Sequence, residues 1–476
     1  MTYKLSLEAH EFLLSLDDER KEYVKKRIEN IEGIISKEQI EDILKAFEEK
    51  VSVVVKRPAE FRPIAKEFEP KISIDAKRDV TGKSRTKSSI DDFVKHFRNR
   101  FERISRLFPY SNGDYTTIHV EDINKSTYQG TKVRVICMVY DKMKTKKGNI
   151  MLYIEDLTGI GKAIVSKTSS IFNQVDGEII HDDIIALYGT IRNSFLIVDS
   201  FEFPVARKSQ PELDESRDLA IAYISDTHVG SKYFIKNAFT KFIKWLNGGI
   251  KEQRDLAGMV KYVVVAGDIV DGIGIYPGQE KELVVKDVYK QYELFESYIS
   301  QLPDYIEVLV IPGNHDAVRR GEPSPAISRD MIKSDRVILG GNPTFAEIEG
   351  LKHLIYHGTS MDSIISAIPK LSYEHPEEAM AEMLKRRHLS TIYGSNPIVP
   401  EIVDYMVIDT LPDVFHAGHV HKNGYKLFRG TLILNTGTFQ ERTPYQIKMG
   451  HIPTPGEVYV YRPIKKKLNS VRFYES

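Results

Sequence analysis

The stretch YVVVAGDIVD, residues 262–271, joins an apolar, β-branched run to two carboxylates, Asp268 and Asp271. An apolar run that ends at a glycine is typical of a buried strand followed by a turn. Four other polar segments also follow apolar runs, here residues 219–224, 308–311, 354–356 and 414–415. These segments are Asp226-Thr227-His228, Gly313-Asn314-His315-Asp316, His357-Gly358 and Gly418-His419-Val420-His421. Because sites in layered α/β domains form at the carboxyl ends of strands, the five segments predict one shared crevice.

The polar side chains of this crevice are typical ligands of a catalytic metal centre. Imidazole, carboxylate and amide oxygen without thiolate suit Mn, Fe, Zn or Ni rather than a closed structural zinc site. Seven ligands are too many for one tetrahedral ion, and they suit two ions that share a carboxylate and clamp a phosphoryl group. Phosphoester hydrolysis is therefore the leading chemistry. The candidate ligands are Asp226, His228, Asp268, Asn314, His357, His419 and His421.

The series D-x-H, G-D-x-x-D, G-N-H-D, H-G and G-H-x-H resembles the calcineurin-like metallophosphoesterase superfamily over roughly residues 218–470. The resemblance implies an α/β/β/α sandwich that holds two divalent ions, with Mn²⁺ the first choice. It implies that Asp226, His228 and His421 hold one ion, that Asn314, His357 and His419 hold or share the other, and that Asp268 bridges them.

The same resemblance gives roles to two further residues. His315 follows Asn314 directly, so it is expected near the metals as the residue that stabilises the phosphoryl group and protonates the leaving oxygen. Asp271 is expected to orient His315 and keep it charged. Histidines outside the series are predicted to be ordinary core or surface residues, although His416, three residues before His419, is close enough to support a ligand.

Composition excludes several classes of protein. The chain of 476 residues is long enough for two or three domains, and its formal net charge is zero, so any nucleic-acid contact must come from local patches. Its one cysteine, Cys137, excludes a disulfide framework. No apolar run approaches the ~18 residues of a membrane span, and no signal peptide is recognised. A cytoplasmic, nucleoid-associated protein without a membrane partner is expected.

Four regions are predicted along the chain. Residues 1–55 have helical spacing of apolar residues and predict a small helical unit, either self-packed or a docking module for a partner. Residues 56–90 are polar and basic and predict a flexible linker, with binding to the DNA backbone as the alternative. Residues 91–210 predict a helix, residues 90–107, and an OB-fold domain. Residues 211–476 predict the metallophosphoesterase domain, so the fold class is α+β and multidomain.

The OB-type barrel is predicted from five short strands, residues 133–140, 150–156, 161–165, 183–188 and 195–201. Such barrels often bind single-stranded nucleic acid through aromatic and basic residues on one face. A structural brace against the neighbouring domain is the alternative. The candidate face consists of Tyr140, Lys142, Lys144, Lys146, Lys147 and Tyr153.

An OB-type barrel followed by an intact metal set resembles the small subunits of the archaeal D-family DNA polymerases, over roughly residues 90–476. The resemblance implies a 3′-to-5′ exonuclease that proofreads single-stranded or frayed 3′ ends in a heterodimer with a large polymerising subunit. Basic residues near the predicted crevice are candidates to guide DNA: Arg319, Arg320, Lys385, Arg386 and Arg387.

Two other functions remain open. One is a different phosphoesterase, such as a phosphoprotein phosphatase or a cyclic-nucleotide phosphodiesterase. Phosphoprotein phosphatases usually have Arg-Gly after the second aspartate and Glu after Asn-His, whereas this chain has Gly272 and Asp316. The other is a non-catalytic scaffold with a vestigial site that binds the polymerising subunit.

Overall fold

The computed structural model describes residues 4–16, 18–28, 31, 33–51, 57–110, 113–204 and 211–475. The N-terminal unit consists of three helices and a short parallel strand pair, and its apolar side chains pack on one another around Leu13, Val24 and Ile40. This is the self-packed arrangement, one of the two that the sequence left open. Its elements are β1 (Lys4–Leu5), α1 (Leu7–Ser15), α2 (Asp18–Ile28), β2 (Ile34–Ile35) and α3 (Lys37–Val51).

Residues 57–89 are packed on the rest of the molecule, so the prediction of a flexible linker is wrong for them. They contain a 3₁₀ helix, Ile64–Glu67, and a strand, β3 (Ile72–Ile74), which pairs antiparallel with residues 346–348. Phe61 and Ala65 are buried, and Asp79 accepts a hydrogen bond from the Gly341 amide at 2.9 Å. Phe61 packs against Gly248 and Gly258, so the partners that order this stretch are distant in the sequence. Residue 56 of the predicted linker and residues 52–55 of the predicted helical region lie outside the described residues.

The barrel is preceded by α4 (Ile90–Ser105), which begins at a capping box between Ser89 and Asp92, close to the predicted start. Five strands close into a barrel because β5 pairs with both β6 and β8, while β4 is added at the edge of β5. Its elements are β4 (Thr116–Ile118), β5 (Lys132–Lys144), β6 (Ile150–Glu155), β7 (Ile160–Val165), α5 (Phe172–Glu178), β8 (Asp183–Arg192) and β9 (Phe195–Glu202).

The domain that follows the barrel contains two sheets. The first sheet has both parallel and antiparallel strands. Its strands are nearly continuous apolar runs because both faces are covered. Its order is β13-β12-β11-β10-β19-β20, with the first four strands parallel and β19 antiparallel to β10. The helices and strands from β10 to the edge strand β13 are, in chain order, β10 (Ala220–Ile224), α6 (Lys236–Leu246), α7 (Arg254–Met259), β11 (Val260–Ala266), α8 (Val288–Ile299), β12 (Glu307–Ile311) and β13 (Val337–Leu339).

The second sheet has the order β17-β18-β16-β15-β14-β3, so the misassigned linker supplies its edge strand. Within it β15, β16 and β18 are parallel. The remaining elements are β14 (Thr344–Ile348), β15 (Leu351–Ile355), α9 (Met361–Ala367), α10 (Pro376–Arg386), β16 (Val414–Ala417), β17 (Gly424–Phe428), β18 (Thr431–Asn435), α11 (Pro444–Met449), β19 (Glu457–Arg462) and β20 (Lys467–Arg472).

Three apolar cores define the layers of this domain. Side chains such as Tyr223, Leu309 and Ile355 fill the space between the two sheets. Helices α6, α7 and α8 pack on the outer face of the first sheet, and α9 and α10 pack on the outer face of the second. The predicted fold class, an OB-type barrel with an α/β/β/α sandwich, is confirmed. No helix among the described residues combines the length and apolar character needed to cross a bilayer.

Candidate metal centre

The five polar segments lie in the loops that follow β10, β11, β12, β15 and β16. Strands β10 to β12 are parallel in one sheet, and β15 and β16 are parallel in the other. The carboxyl ends of both sets therefore meet at one edge of the sandwich. This long-range pairing brings residues that are up to about 200 positions apart, Asp226 and His421, to within 3.4 Å of each other.

The backbone is held in an unfavourable conformation at five residues of these loops. Their φ angles are positive, a region that costs residues other than glycine of order 1–3 kcal/mol each. Hydrogen bonds between the loops hold this geometry, for example from the His228 amide to the carbonyl of Asp268 at 3.0 Å. Clustered strain of this kind is typical of functional sites. The five residues are Asp226 (+50°), His228 (+47°), Asp268 (+50°), His419 (+71°) and His421 (+56°).

One group of acceptor atoms forms around Asp226. The Nδ1–H of His228 donates to the Asp271 carboxylate at 3.0 Å, so the lone pair of its Nε2 faces the crevice. This Nε2 lies 3.1 Å from Nε2 of His421. Asp226 Oδ1 is buried and accepts no hydrogen bond from any described residue, although Nε2 of His421 lies 3.4 Å away. A buried carboxylate oxygen without a donor fits a bound cation.

A second group of acceptor atoms forms around Asn314. Nδ1–H of His357 donates to the carbonyl of Ala266 at 2.8 Å, so its Nε2 lone pair faces Oδ1 of Asn314 at 2.9 Å. Nδ1 of His419 lies 3.1 Å from the same oxygen. Acceptors that converge without a shared proton repel one another unless a cation lies between them. This group therefore also fits a metal ion.

Asp268 lies between the two groups. Its Oδ1 accepts a hydrogen bond from the His315 amide at 2.7 Å. Its Oδ2 lies 3.3 Å from Nε2 of His357 and 3.9 Å from Nε2 of His228. This is the location that a bridging carboxylate requires.

The electrostatics of the crevice favour positive charge. Burial alone would lower the pKa of His357, but without a metal ion the charge of Asp268 and its hydrogen bond raise that pKa to about 10, so that a proton on Nε2 takes the position where a metal ion would bind the lone pair. Burial is likewise outweighed at His228, where the Asp271 hydrogen bond and nearby carboxylates raise the pKa to about 9. Such shifts show an excess of negative potential, which divalent ions would neutralise. The residues present thus fit two divalent ions, and the assignment of each ligand remains a prediction.

Asp271 contacts His315 through its backbone carbonyl, and not through the carboxylate that the predicted role requires. Nδ1 of His315 donates to the backbone carbonyl of Asp271 at 2.8 Å, whereas the Asp271 carboxylate accepts from His228, Gln279 and Gln440. Burial lowers the pKa of His315 and outweighs the opposing charges of Asp268 and Asp271. Gln279 and Gln440 were not predicted as partners of Asp271, because neither glutamine lies in one of the five motifs.

Two of the residues that contact ligands could not be recognised in advance. Gln446 on α11 places Nε2 2.8 Å from Nδ1 of His421, and Asp362 on α9 places Oδ2 3.2 Å from Nε2 of His419. His416, for which support of a ligand was left open, is buried and lies 3.0 Å from Thr436 Oγ1.

The basic residues predicted to guide DNA divide into two sets. Arg320 is exposed beside the crevice loops and donates to the Gly274 carbonyl at 2.7 Å, and Arg319 is held by Pro323, Ser84 and Glu401. The prediction for residues 385–387 is wrong, because Arg386 and Arg387 are buried and Lys385 binds Glu178 of the barrel. Lys385 and Arg386 connect this domain to the barrel, whereas Arg387 donates to the carbonyl of Asp409 within its own domain.

The predicted binding face of the barrel is only partly available. Nζ of Lys142 donates to three carbonyls at the end of α5, and Lys144 pairs with Asp176 at 2.8 Å. Tyr140 and Tyr153 remain partly exposed, with ring centroids 5.9 Å apart. Lys146 and Lys147 are exposed at the following turn.

Comparison with known proteins shows the family. The calcineurin-like phosphoesterase family matches residues 219–423. The chain is 38% identical over 455 residues to the DNA polymerase II small subunit of Archaeoglobus fulgidus, an alignment that covers 94% of this chain and 90% of that one. The small subunit of Methanocaldococcus jannaschii is 39% identical, with 81% and 66% covered, and that of Methanothermobacter thermautotrophicus is 38% identical, with 80% of each chain covered. The chain therefore belongs to the family of the archaeal DNA polymerase II small subunits and carries their calcineurin-like phosphoesterase domain.

Proposed function

We propose that this chain is a 3′-to-5′ DNA exonuclease that proofreads for the large polymerising subunit of its polymerase. The observation that carries the proposal is the convergence of acceptor atoms around Asp226, Asn314 and Asp268, because a vestigial site would not need to retain it. The small-subunit relatives give the polymerase context. DNA is accordingly the proposed substrate, as a single strand or a frayed 3′ end.

Two divalent ions, proposed to be Mn²⁺, would supply charge stabilisation for the phosphoryl oxygens and an activated water near neutral pH. Asp226, His228 and His421 would hold one ion, with Fe, Zn or Ni as alternative metals. The other ion would be held by Asn314, His357 and His419, with Asp268 shared between the two.

His315 is the proposed proton donor. Its Nδ1–H is already committed to the carbonyl of Asp271, so Nε2 is the atom that exchanges a proton with the leaving oxygen. In the proposed reaction a water oxygen bonds to the phosphorus of the terminal phosphodiester, the bond to O3′ breaks, and O3′ takes the proton. A 5′-mononucleotide leaves. Because burial lowers the pKa of His315, the negative charge of a bound phosphodiester is what favours its protonated form.

The surroundings of the crevice suit an unpaired strand. Helix α11 contacts His421 through Gln446 and exposes Tyr445, whose side chain is 67% accessible. An exposed aromatic ring offers a stacking surface to a base, worth about 1–3 kcal/mol. Arg320 is the exposed basic residue proposed to contact the phosphate backbone.

A scaffold role for the large subunit is compatible with this proposal. The outer face of the barrel exposes Met143 and Ile160, which are 47% and 66% accessible. Exposed methionine and isoleucine on one sheet face are more typical of a protein contact than of a phosphate-binding surface. These two residues belong to the barrel, whereas the crevice is built from loops of the phosphoesterase domain, so binding and hydrolysis can coexist.

The test is hydrolysis of a 3′-mismatched primer and of a matched single strand by the purified chain with added Mn²⁺. Release of 5′-mononucleotides from the 3′ end is expected. Asp268→Ala should abolish it, while Asp330→Ala, which changes an exposed carboxylate, should not. Activity that appears only with the large subunit would identify a partner-activated enzyme. No release with the large subunit present would leave the scaffold role alone and overturn the nuclease.

A further inference from the structure

Asp362 lies beside the metal centre but is not one of the seven proposed ligands. It lies in the first turn of α9, five residues after His357, and its side chain is about half exposed. Despite this exposure it is paired, since Oδ2 lies 3.2 Å from Nε2 of His419. Tyr373 is a second hydrogen-bond partner of the same carboxylate. The ring of Tyr373 packs in turn on His451, with centroids 4.3 Å apart.

The orientation of His419 needs such a partner. Its backbone amide donates to Asp226 Oδ2 at 2.9 Å, which fixes the main chain but leaves the ring free to rotate. The ring has two nitrogens, and only one orientation places Nδ1 beside Asn314 Oδ1, at 3.1 Å. A carboxylate that accepts the proton of Nε2 fixes both the rotation of the ring and its tautomer.

We propose that Asp362 is a positioning residue that holds His419 with the Nδ1 lone pair toward the Asn314 half of the metal centre. The inference rests on the proposed two-metal centre and extends it to a residue outside the five motifs. Asp362 does not reach the ligand atoms itself. Its action is through the ring of His419, and Tyr373 limits the rotation of the carboxylate.

Binding of Mn²⁺ to the full-length chain, measured by isothermal titration calorimetry, tests this role independently of activity. Two Mn²⁺ ions are expected for the wild type. Asp362→Ala should weaken one of the two sites by about 10- to 100-fold, the usual effect of losing such a partner. Asp362→Asn retains an acceptor oxygen for Nε2–H, so its affinity should stay within about threefold of the wild type. Glu374→Ala removes a carboxylate of similar exposure that pairs with Lys422, and it should change neither site.

The outcomes separate this inference from the proposed function. A wild type that binds no Mn²⁺ contradicts the metal centre as a whole. A wild type that binds two ions, together with an Asp362→Ala variant that binds them equally well, contradicts only the role of Asp362. If Asp362→Asn loses as much affinity as Asp362→Ala, the carboxylate acts through its charge and the positioning role is wrong. Circular dichroism of each variant checks that it is folded.

Discussion

At the scale of single residues, the hydrogen bonds behind each histidine determine what the crevice can bind. Asp271 takes the Nδ1 proton of His228, and the Ala266 carbonyl takes that of His357. In both cases the other ring nitrogen is left with its lone pair toward the crevice. The chemistry of the site thus depends on atoms that are not ligands, and their replacement should alter metal binding without any ligand being changed.

His315→Ala should lower the hydrolysis rate by about 10²- to 10⁴-fold, the usual contribution of a positioned general acid. Its effect on metal content should be small, because Nδ1 of His315 donates to the carbonyl of Asp271 and its ring packs edge-on against His228, at 4.7 Å between centroids, without replacing any of the seven proposed ligands. Single-turnover hydrolysis and Mn²⁺ titration measure the two properties separately. Loss of a metal ion in this variant would show that His315 is a ligand.

The free energy of unfolding should decrease as the pH is lowered from about 6.5 toward 4. Burial lowers the pKa of His353 to about 4, while Tyr223 and the Leu351 carbonyl hydrogen-bond to its ring. The unfolded chain, with a pKa near 6.5, therefore takes up a proton first, and stability present above pH 6.5 is lost below it.

Urea unfolding at several pH values measures this loss. His353→Gln should remove up to about 1.4 kcal/mol per pH unit from the slope between pH 6.5 and 5. His375→Gln serves as the control because the side chain of His375 is 70% exposed. An equal slope in the two variants would show that His353 does not contribute to the acid sensitivity.

At the scale of secondary-structure elements, the site depends on how closely the loops after neighbouring strands approach each other. The loop after β12 packs directly on the loop after β11. A Cβ atom at Gly313 would lie 2.1 Å from Asp268 Oδ1 and 2.5 Å from the Asp268 amide nitrogen. The absence of a side chain at Gly313 is therefore what allows Asp268 to lie between the two groups of acceptors.

Gly313→Ala should displace Asp268 and reduce Mn²⁺ affinity by at least about tenfold, since the carboxylate is shared by both proposed ions. Gly177→Ala is the matched control, because no atom lies within 4 Å of a Cβ built there. In that helical position alanine should be neutral or stabilising by up to about 1 kcal/mol. Titration with Mn²⁺ compares the two variants, and unchanged affinity in Gly313→Ala would contradict the close approach.

At the scale of the whole molecule, a buried ionic network joins the barrel to the phosphoesterase domain. Arg386 at the end of α10 donates to Asp183 of the barrel at 2.8 Å, and it also hydrogen-bonds to Glu382. Its guanidinium lies 5.0 Å from the ring centroid of Phe203. The side chain is 2% exposed, so the two domains are connected by charges that water does not screen.

Arg386→Met should destabilise the protein by about 3–5 kcal/mol, because it leaves the buried carboxylate of Asp183 without its partner. Lys370→Met removes a neighbouring charge of the same network that is 54% exposed, and its effect should stay within about 0.5 kcal/mol. Guanidinium denaturation, followed by circular dichroism, distinguishes the two variants. Similar midpoints would contradict a structural role of the network.

Much of this architecture was predictable because its signals are local. An apolar run followed by Asp, Asn or His indicates a strand and the loop at its end, and five such pairs indicated a layered α/β domain and the seven candidate ligands. The sandwich itself was implied by the resemblance of these motifs to the calcineurin-like superfamily. Five short strand signals separated by turns likewise indicated the barrel. These features depend on the properties of adjacent residues, which the sequence displays directly.

Only the tertiary structure decided which atoms meet. It placed β3 in a sheet instead of a linker and buried Arg386 between the barrel and the phosphoesterase domain. In the folded chain the Asp271 carboxylate accepts a hydrogen bond from His228 and not from His315. The physical reason is that burial and hydrogen bonding of these residues depend on partners more than 40 positions away, so the chain alone determined the kind of site while packing determined its geometry.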